Sequence, residues 1–167
     1  MLIRDMTGID RAALQKLVRE PGMFEPREVP VAEELIDAHL AGSTDYRIHL
    51  AEGVTGTADP SPRILGFVCY GHNPVTDAVH DVYWVAVARE ARRRGAGRAL
   101  LEHAERCVRG LAGRAIVIET SGRPDYRPAR ALYESCGYAR VAEIADYYNP
   151  GDAMHIYMKT LTPFTSI

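Results

Sequence analysis

The sequence RRRGAGR, residues 92–98, follows an apolar strand pattern at Val79–Ala88 and opens a helical pattern over Ala96–Leu111. Its two glycines, Gly95 and Gly97, allow the backbone to turn tightly and bring peptide N–H groups close to a ligand. The first amides of a helix have no partner within it, and the helix dipole is positive there, which favours phosphate. Neighbouring guanidinium groups can add charge-assisted hydrogen bonds. The stretch therefore predicts a site for an anion or a pyrophosphate, without naming the ligand.

Hydrophobic periodicity and turn residues predict a mixed sheet with helices on both faces around this stretch. Turn-rich connectors at 53–62 and 71–74 indicate antiparallel neighbours. Pro128 suits the first turn of the last helix, and Gly137 suits the position beyond its C-cap. The class is α/β (an α+β mixed sheet) in the order β-α-α-β-β-β-α-β-α-β-β. The predicted elements are residues 2–5, Thr7–Glu20, Val31–Leu40, Tyr46–Glu52, Ile64–Tyr70, Val79–Ala88, Ala96–Leu111, Ala115–Ile118, a helix from Pro128, Tyr138–Ile144 and His155–Leu161.

A second motif follows about thirty-five residues later, RALYESCGY at residues 130–138. Arg92-x-x-Gly95-x-Gly97 after an apolar strand resembles the signature by which GNAT N-acetyltransferases bind the pyrophosphate of coenzyme A. The second motif resembles the helix and turn that form the other signature of the same family. The two motifs occur in the family's order on a matching strand–helix frame, and the specific resemblance covers residues 79–144. It implies the GNAT acyl-CoA N-acyltransferase fold.

The resemblance also implies a mechanism, in which acetyl-CoA and an amine bind together and the neutral amine attacks the thioester directly. A base must then take a proton from the ammonium, and an acid can protonate the leaving thiolate. Tyr133 matches the family's tyrosine acid, and Glu119 matches a position where several members place their base. The backbone of Val85 and Val87 is expected to pair with the pantetheine arm, where this strand parts from Ala115–Ile118 at a bulge. The expected cofactor-binding set is completed by Arg92, Arg93, Arg94, Gly95, Ala96, Gly97 and Arg98.

The sequence departs from the family between Glu119 and Tyr133, because this interval is longer than in common members. Tyr126 stands where many members have an asparagine that touches the cofactor. Each candidate also has an ordinary structural interpretation. Tyr133 could be a core aromatic residue, Glu119 could pair with an arginine, and residues 92–98 could be a solvated basic helix start.

Several residues could bind the acceptor or could simply belong to the surface and the loops. The carboxylates that could line an acidic mouth for a cationic amine are Asp81, Glu25, Glu28 and Asp146. The aromatic residues that could form an acceptor wall are Phe24, Tyr147 and Tyr148. Trp84 is expected in the core. The identity of the amine and the use of a longer acyl-CoA are left open by the sequence.

Composition limits the function classes. The chain has 167 residues, a net charge of −2, 47% hydrophobic and 25% charged residues. This predicts a single domain at 1–161 with a C-terminal tail at 162–167, and argues against nucleic acid as a partner. Without a signal-peptide run or a stretch near the ~20 apolar residues of a membrane span, no membrane association and a cytoplasmic location are expected.

The 3 cysteines and 6 histidines lack disulfide or metal spacing, and His72 and His80 look too far apart to form a ligand pair, so no metal is expected.

A dinucleotide-binding domain is an alternative use of residues 92–98, since Glu119 ends the next strand as a ribose-binding acid would. Leu100 stands in place of the third glycine, however, and the seven residues Ala88–Arg94 separate the core of the strand from Gly95. The interpretation is therefore disfavoured.

A second alternative is a non-enzymatic acyl-CoA sensor on the same fold, which would keep residues 92–98 and lose the acid and the base. Because Tyr133 and Glu119 are both present, an active enzyme is preferred. The oligomeric state stays open, although homodimers are common among the proteins that the chain resembles. A nucleic-acid module is disfavoured, because no aromatic residues alternate with the arginines.

Overall fold

A computed structural model describes residues 1–54 and 62–161. Most of the predicted 53–62 connector and the whole predicted tail at 162–167 lie outside the described residues. The order of helices and strands is the predicted one, with three short 3-10 turns added at Gly8–Asp10, Arg89–Ala91 and Pro124–Tyr126. The strands are β1 Leu2–Asp5, β2 Arg47–Gly53, β3 Arg63–His72, β4 Val79–Val87, β5 Ala115–Ser121, β6 Ala139–Asn149 and β7 Asp152–Thr160. The helices are α1 Arg11–Val18, α2 Glu28–Leu40, α3 Ala96–Gly110 and α4 Arg127–Ser135.

The strands form a mixed 7-stranded sheet in the order β1-β2-β3-β4-β5-β7-β6. The predicted parallel pair is β4 with β5, and its registered residues run from Val79 opposite Ala115 to Val82 opposite Ile118. Four other neighbouring pairs are antiparallel: β1 with β2, β2 with β3, β5 with β7, and β7 with β6. The mixed α/β fold expected from the sequence is confirmed. None of the described helices combines the length and apolar character needed to cross a bilayer.

The described residues fall into two compact units. The first contains those within Met1–Gly71 and Trp84–Ala104. Its α1 buries Leu14, Leu17 and Val18, which lie three or four residues apart and so form one face of the helix. The core of this unit also contains Met6, Ala32, Ile36, Ile48, Leu50, Ala51, Leu65, Phe67, Val68, Cys69, Tyr70, Ala86, Ala88, Ala91, Ala96, Leu100, Leu101 and Ala104.

Gly66 of β3 lets two strands approach closely within the first unit. A Cβ atom at Gly66 would collide with Ala86 O of β4 and lie 3.3 Å from Leu100 Cδ1 of α3. A larger side chain here would therefore push β4 and α3 away from β3. Glycine is required at this position by packing.

The second unit contains the described residues within His72–Tyr83 and Glu105–Ile167. Its core includes Val82, Val108, Ala115, Ile116, Ile118, Tyr133, Cys136, Tyr138, Met154 and Tyr157. Gly137, with φ of 86°, ends α4 as the sequence predicts. Gly137 N donates to Glu134 O at 3.0 Å and Tyr138 N donates to Tyr133 O at 3.1 Å. This pair of bonds defines a Schellman cap and fixes the end of the helix that carries Tyr133.

An ion pair with a buried carboxylate ties three elements of the second unit together. Lys159 Nζ of β7 donates to Glu105 Oε1 and Oε2 of α3 at 2.8 and 2.7 Å. The same ammonium donates to Cys136 O, at the end of α4, at 2.7 Å. The carboxylate and the carbonyl thereby satisfy all three donors of one cation, and that cation neutralises the buried carboxylate of Glu105, which is the condition under which such a charge is tolerated.

Two helix starts differ from the prediction. The first helix begins with a 3-10 turn, because Asp10 Oδ2 accepts hydrogen bonds from Thr7 N at 2.9 Å and Thr7 Oγ1 at 2.8 Å, which tighten that turn. The second begins at Glu28, so Pro30 lies inside its first turn. Proline is tolerated there because the first amides of a helix lack an intrahelical partner in any case.

The segment 146–152, expected as a loop, is mostly strand. β6 extends to Asn149, which pairs with Asp152 across a two-residue turn. Gly151 has φ of 83°, and its N–H donates to Asp146 Oδ1 at 2.6 Å. Asp146 itself has φ of 52°, at a register shift in β6. Turn-forming residues were thus correctly located, but they form a bulge and a tight hairpin turn.

Candidate active site

Residues 92–95 form the turn that leads into α3. Arg93 has φ of 61° and Gly95 has φ of 83°, so two residues of this turn adopt left-handed backbone. That conformation is ordinary for glycine but costs an arginine on the order of 1 kcal/mol, and such residues concentrate at ligand-binding sites. Gly95 O accepts a hydrogen bond from Ala99 N at 3.0 Å. The first amides of α3 therefore follow the glycine turn directly.

The guanidinium groups of this turn lie at the surface, on exposed residues: Arg92, Arg93, Arg94 and Arg98. Arg92 Nε donates to Val87 O at 3.3 Å and ties the turn to the end of β4. Arg98 Nη1 lies 3.7 Å from Glu102 Oε1, and an exposed pair one helical turn apart contributes little on its own. The turn is thus a cationic surface at the positive end of a helix.

The end of β4 directs alternate peptide groups to its two edges. Ala88 N donates to Leu65 O of β3 at 2.8 Å, so the peptide of Ala88 faces β3. Because successive peptide groups of a strand point to opposite edges, the polar groups of Val85 and Val87 point away from β3. The interaction of Arg92 with Val87 O occurs at this second edge. An extended ligand can pair with such an edge.

Glu119, the predicted base, lies on β5 in the second unit and is exposed. Partial burial of the carboxylate, followed by the charge of Asp81, raises the pKa of Glu119 above its ordinary value. Asp81 lies opposite Val117, two residues before Glu119, so the two acids face the same side of the sheet. Asp81 Oδ2 accepts a hydrogen bond from Asn73 Nδ2 at 2.9 Å. Asn73 therefore holds the carboxylate of Asp81 on the face of the sheet that carries Glu119.

Tyr133, the predicted acid, lies on α4 and is 5% exposed. Its ring centroid is 5.7 Å from that of Tyr157 and 6.5 Å from that of Tyr138, both with edge-to-face geometry. Burial, followed by the neighbouring hydroxyls of Tyr126, Tyr157 and Tyr148, raises the pKa of Tyr133 well above its ordinary value. Tyr133 therefore keeps its proton at neutral pH, as a proton donor must.

The long interval between Glu119 and Tyr133 folds into a compact turn held by Arg130. Arg130 Nη1 donates to Ser121 O at 2.6 Å and to Arg123 O at 2.8 Å. Ser121 Oγ donates to the buried Asp152 at 2.5 Å and accepts from Arg123 N at 3.1 Å. Arg130 opens the second sequence motif, but its role in fixing this turn was not predicted, because the spacing within one helix does not show which carbonyls it meets.

A profile of the GNAT acetyltransferase family matches residues 14–138. Among solved structures, a protein from Desulfovibrio desulfuricans described as a GNAT-family acetyltransferase is 34% identical, with a TM-score of 0.85 over 96% of this chain and 99% of that one. A search of curated proteins finds no match. This chain is a GNAT acetyltransferase.

More distant solved structures share the fold with this GNAT protein. An aminoglycoside 6'-N-acetyltransferase complexed with coenzyme A is 16% identical, with a TM-score of 0.73 over 99% of this chain and 100% of that one. The ribosomal-protein-S18-alanine N-acetyltransferase of Escherichia coli is 18% identical, with a TM-score of 0.71 over 99% of this chain and 98% of that one. At such identities the similarity concerns the fold alone.

The first unit of this GNAT protein also contains a cavity of about 560 Å³ between α1 and α2. Phe24 is one of the residues that line this cavity, and its ring packs edge-on against Trp84, with ring centroids 4.8 Å apart. Trp84, expected in the core, is half-buried in this contact. The cavity is lined by Arg19, Glu20, Pro21, Gly22, Phe24, Glu25, Pro26 and Val29.

The remaining acceptor candidates have different surroundings. Glu28 Oε2 accepts from Glu25 N at 2.8 Å and so holds the residues before α2. Tyr147 and Tyr148 belong to β6, and their rings pack edge-on with centroids 5.0 Å apart. The hydroxyl of Tyr148 acts on the pKa of Tyr133, whereas the carboxylate of Asp146 is engaged by the hairpin turn. Of these residues, Tyr148 is the one associated with the predicted acid.

Proposed function

We propose that this GNAT protein transfers an acetyl group from acetyl-CoA to a primary amine. The observation that carries the proposal is the turn at residues 92–95, where left-handed backbone, exposed guanidinium groups and the start of α3 coincide. Free helix amides and a positive dipole bind phosphate, and arginine adds charge-assisted hydrogen bonds. The diphosphate of coenzyme A has the negative charge that such a turn favours.

The second edge of β4 is the proposed place for the pantetheine arm. Val85 and Val87 direct backbone groups to that edge, and amide groups of an extended chain can bond to them as a neighbouring strand would. Acetyl-CoA supplies an activated thioester carbonyl. Arg92, which already donates to Val87 O, would hold the end of this edge beside the diphosphate turn.

The acid and the base are proposed to be Tyr133 and Glu119. Glu119 accepts a proton from the substrate ammonium, directly or through water, and leaves a neutral amine whose nitrogen forms the new bond to the acetyl carbon. As the carbon–sulfur bond breaks, Tyr133 donates its proton to the leaving sulfur. The second proton that the nitrogen must lose on becoming an amide returns to the Tyr133 oxygen, and the proton on Glu119 passes to solvent. The acid role rests on the match of Tyr133 to the family's second motif, and its hydroxyl is protonated at neutral pH and so has a proton to donate.

The cavity between α1 and α2 is proposed to hold the acceptor. Two of its lining residues are acids, Glu20 and Glu25, and its one cation, Arg19, is paired with Glu33 at 2.5 Å. The other side chains around Phe24 are largely apolar. A primary ammonium on an apolar carrier matches this lining, whereas a carboxylate-bearing amine would be repelled.

The test is release of the coenzyme A thiol from acetyl-CoA over a panel of amines, with products identified by mass spectrometry. The panel should pair each apolar amine with the same amine carrying an added carboxylate, and acetyl-CoA with a longer acyl-CoA. We expect turnover with acetyl-CoA and a preference for the uncharged carriers. Binding of acetyl-CoA without turnover on any amine would instead identify a sensor, and absence of binding would remove the whole proposal.

A further inference from the structure

Arg130 joins the strand of the proposed base to the helix of the proposed acid within the second unit. It lies on α4, and its Nη1 atom donates to Ser121 O at 2.6 Å and to Arg123 O at 2.8 Å. Ser121 is the last residue of β5 and lies two residues beyond Glu119. Tyr133 follows Arg130 by three residues, so the two side chains lie on the same face of α4. One side chain thus bonds the end of β5 to the helix turn that carries Tyr133.

The two elements that Arg130 joins are not held equally well. β5 pairs with β4 over its first half and with β7 over its whole length, so the sheet fixes the place of Glu119. α4 has 9 residues, too few to be stable alone, and its position therefore depends on side-chain contacts. At the C-terminal end of α4, Lys159 of β7 donates to Cys136 O at 2.7 Å. Arg130 provides a contact of the same kind in the N-terminal half of the helix.

The carbonyl groups that accept from Arg130 are themselves held in place. Ser121 is buried, and its Oγ donates to Asp152 Oδ1 at 2.5 Å and accepts from Arg123 N at 3.1 Å. Asp152 is also buried and is the first residue of β7. A hydroxyl-to-carboxylate bond of this length is of the strong, charge-assisted kind. The turn after β5 is therefore a fixed acceptor for the guanidinium group.

The need for such a contact follows from the interval between Glu119 and Tyr133, which is longer than in common members of the family. A longer connector restricts the separation of its two ends less than a short one does. The chain connection alone therefore leaves the position of α4 less defined. Arg130 compensates for this, because its hydrogen bonds bypass residues 124–129 and join the helix directly to the strand.

We propose that Arg130 is a positioning residue for acetyl transfer, whose hydrogen bonds hold α4 so that Tyr133 reaches the leaving sulfur. This role rests on the proposed function. In it, Arg130 moves no proton and forms no bond to a substrate. It acts on distance, and a misplacement of about 1 Å in a catalytic group can cost on the order of 100-fold in rate. Loss of Arg130 should therefore slow the chemical step without weakening acetyl-CoA binding at residues 92–95.

The test compares Arg130→Met with Arg127→Met in three measurements: kcat, calorimetric affinity for acetyl-CoA, and hydrogen exchange of the α4 amides. Methionine keeps an aliphatic stem and removes the hydrogen-bond donors. We expect Arg130→Met to lower kcat about tenfold or more at unchanged affinity, and to speed exchange in α4 while β5 stays protected. Arg127 is an exposed arginine of the same helix, so Arg127→Met should keep the wild-type kcat.

Two further comparisons separate positioning from general damage to the fold. Arg130→Lys should retain more turnover than Arg130→Met, because one nitrogen makes both hydrogen bonds and an ammonium group can donate to both carbonyls. In a Tyr133→Phe background, Arg130→Met should cause at most about a twofold further loss of kcat, since the hydroxyl that it positions is already absent. Should Arg130→Met fail to fold, Arg130→Lys in the two backgrounds provides the same comparison.

The possible results distinguish this role from the proposed function. Wild-type turnover in Arg130→Met would overturn the role of Arg130, as would an equal loss of kcat in the wild-type and Tyr133→Phe backgrounds. Equal turnover in Arg130→Lys and Arg130→Met would also overturn it, because the two carbonyl contacts would then have no effect. A wild-type chain that acetylates no amine would overturn the proposed function and this role together.

Discussion

The turn at residues 92–95, proposed to bind the cofactor, and the proposed acid–base region around Glu119 and Tyr133 are built in opposite ways. The turn is a run of consecutive residues whose function depends on local backbone angles and exposed charge. The acid–base region takes Asp81 from β4, Glu119 from β5 and Tyr133 from α4, and its chemistry depends on burial and on neighbours distant in sequence. The residues proposed to bind the cofactor are therefore local in sequence, and the residues proposed to transfer protons are not.

This difference predicts that the two regions can be damaged separately. Changes in the turn should affect acetyl-CoA binding more than the chemical step, whereas changes around Glu119 and Tyr133 should affect turnover more than binding. An interaction made only in the transition state lowers kcat and kcat/KM together, whereas loss of uniform binding raises KM. Single substitutions in each region separate the effect on acetyl-CoA binding from the effect on turnover.

Tyr133→Phe should have the largest effect, a fall in kcat of about 100-fold, because general acid catalysis contributes at least that much. The substitution keeps the ring that packs against Tyr157 and Tyr138, so the affinity for acetyl-CoA should be unchanged. Steady-state kinetics and a calorimetric titration with acetyl-CoA measure the two quantities. Unchanged turnover would leave Tyr133 as a core aromatic residue only.

Tyr138→Phe is the matched control for this variant. Tyr138 is also a buried tyrosine, and burial, followed by Glu105, raises its pKa as well. It follows α4, however, and its environment is the Glu105–Lys159 ion pair. Tyr138→Phe should therefore retain turnover, and an equal loss in both variants would indicate a general effect of repacking.

Gly95→Ala should weaken acetyl-CoA binding about tenfold, or about 1.4 kcal/mol. In the free protein a Cβ at Gly95 meets no atom within 4 Å, so the fold should lose only the cost of a left-handed alanine, on the order of 1 kcal/mol. In the complex, that Cβ would lie on the turn proposed to approach the diphosphate. Calorimetry with acetyl-CoA and thermal unfolding separate the two costs.

Gly151→Ala provides a control with the same backbone cost. Gly151 has the same φ of 83° and also has open space around its Cβ position, but it lies in the β6–β7 turn. The unfolding temperature of Gly151→Ala should fall as much as that of Gly95→Ala, while the affinity of Gly151→Ala for acetyl-CoA should match that of the wild type. If both variants bind equally well, the turn at Gly95 does not hold the diphosphate.

The sequence was sufficient to predict features whose cause is local. The order of helices and strands follows from hydrophobic periodicity, and the end of α4 follows from Gly137, whose positive φ is difficult for other residues. The extension of β6 to Asn149 was missed, because Asp146 and Gly151 carry turn chemistry that also suits a bulge and a hairpin. Local signals located these turn residues but did not show whether the strand continues between them.

Features that depend on strand register could not be predicted in the same way. Asp81 was predicted only as an acid of an acceptor mouth or of the surface, because nothing in the sequence shows that it lies opposite Val117, two residues from Glu119. The contact between His49 and His103, whose ring nitrogens lie 3.0 Å apart although 54 residues separate them, was not predicted either. A register is set by the whole sheet, so a one-residue change in it would move every such side chain to the other face.

Asp81→Asn should have the smallest effect of the series, a displacement of the acidic limb of the pH–rate profile. As a base, Glu119 must be ionised, and its raised pKa places the loss of activity at a higher pH than for an ordinary glutamate. Removing the charge of Asp81 lowers the pKa of Glu119, so the limb of kcat/KM should move to lower pH. Glu119→Gln should abolish the limb, and Asp77→Asn, on an exposed neighbour, should leave it in place.

The same pair affects stability with a defined sign. Because the pKa of Glu119 is raised in the folded state, the unfolded chain binds fewer protons between the two pKa values, and the free energy of unfolding falls as pH rises through that window. Asp81→Asn should make this fall smaller, which thermal unfolding at a series of pH values measures. If Asp81→Asn changes neither the acidic limb of the pH–rate profile nor the pH dependence of the free energy of unfolding, Asp81 does not act on Glu119. If the acidic limb moves while the pH dependence of unfolding stays the same, the group that titrates in the pH–rate profile is not Glu119 of the free enzyme.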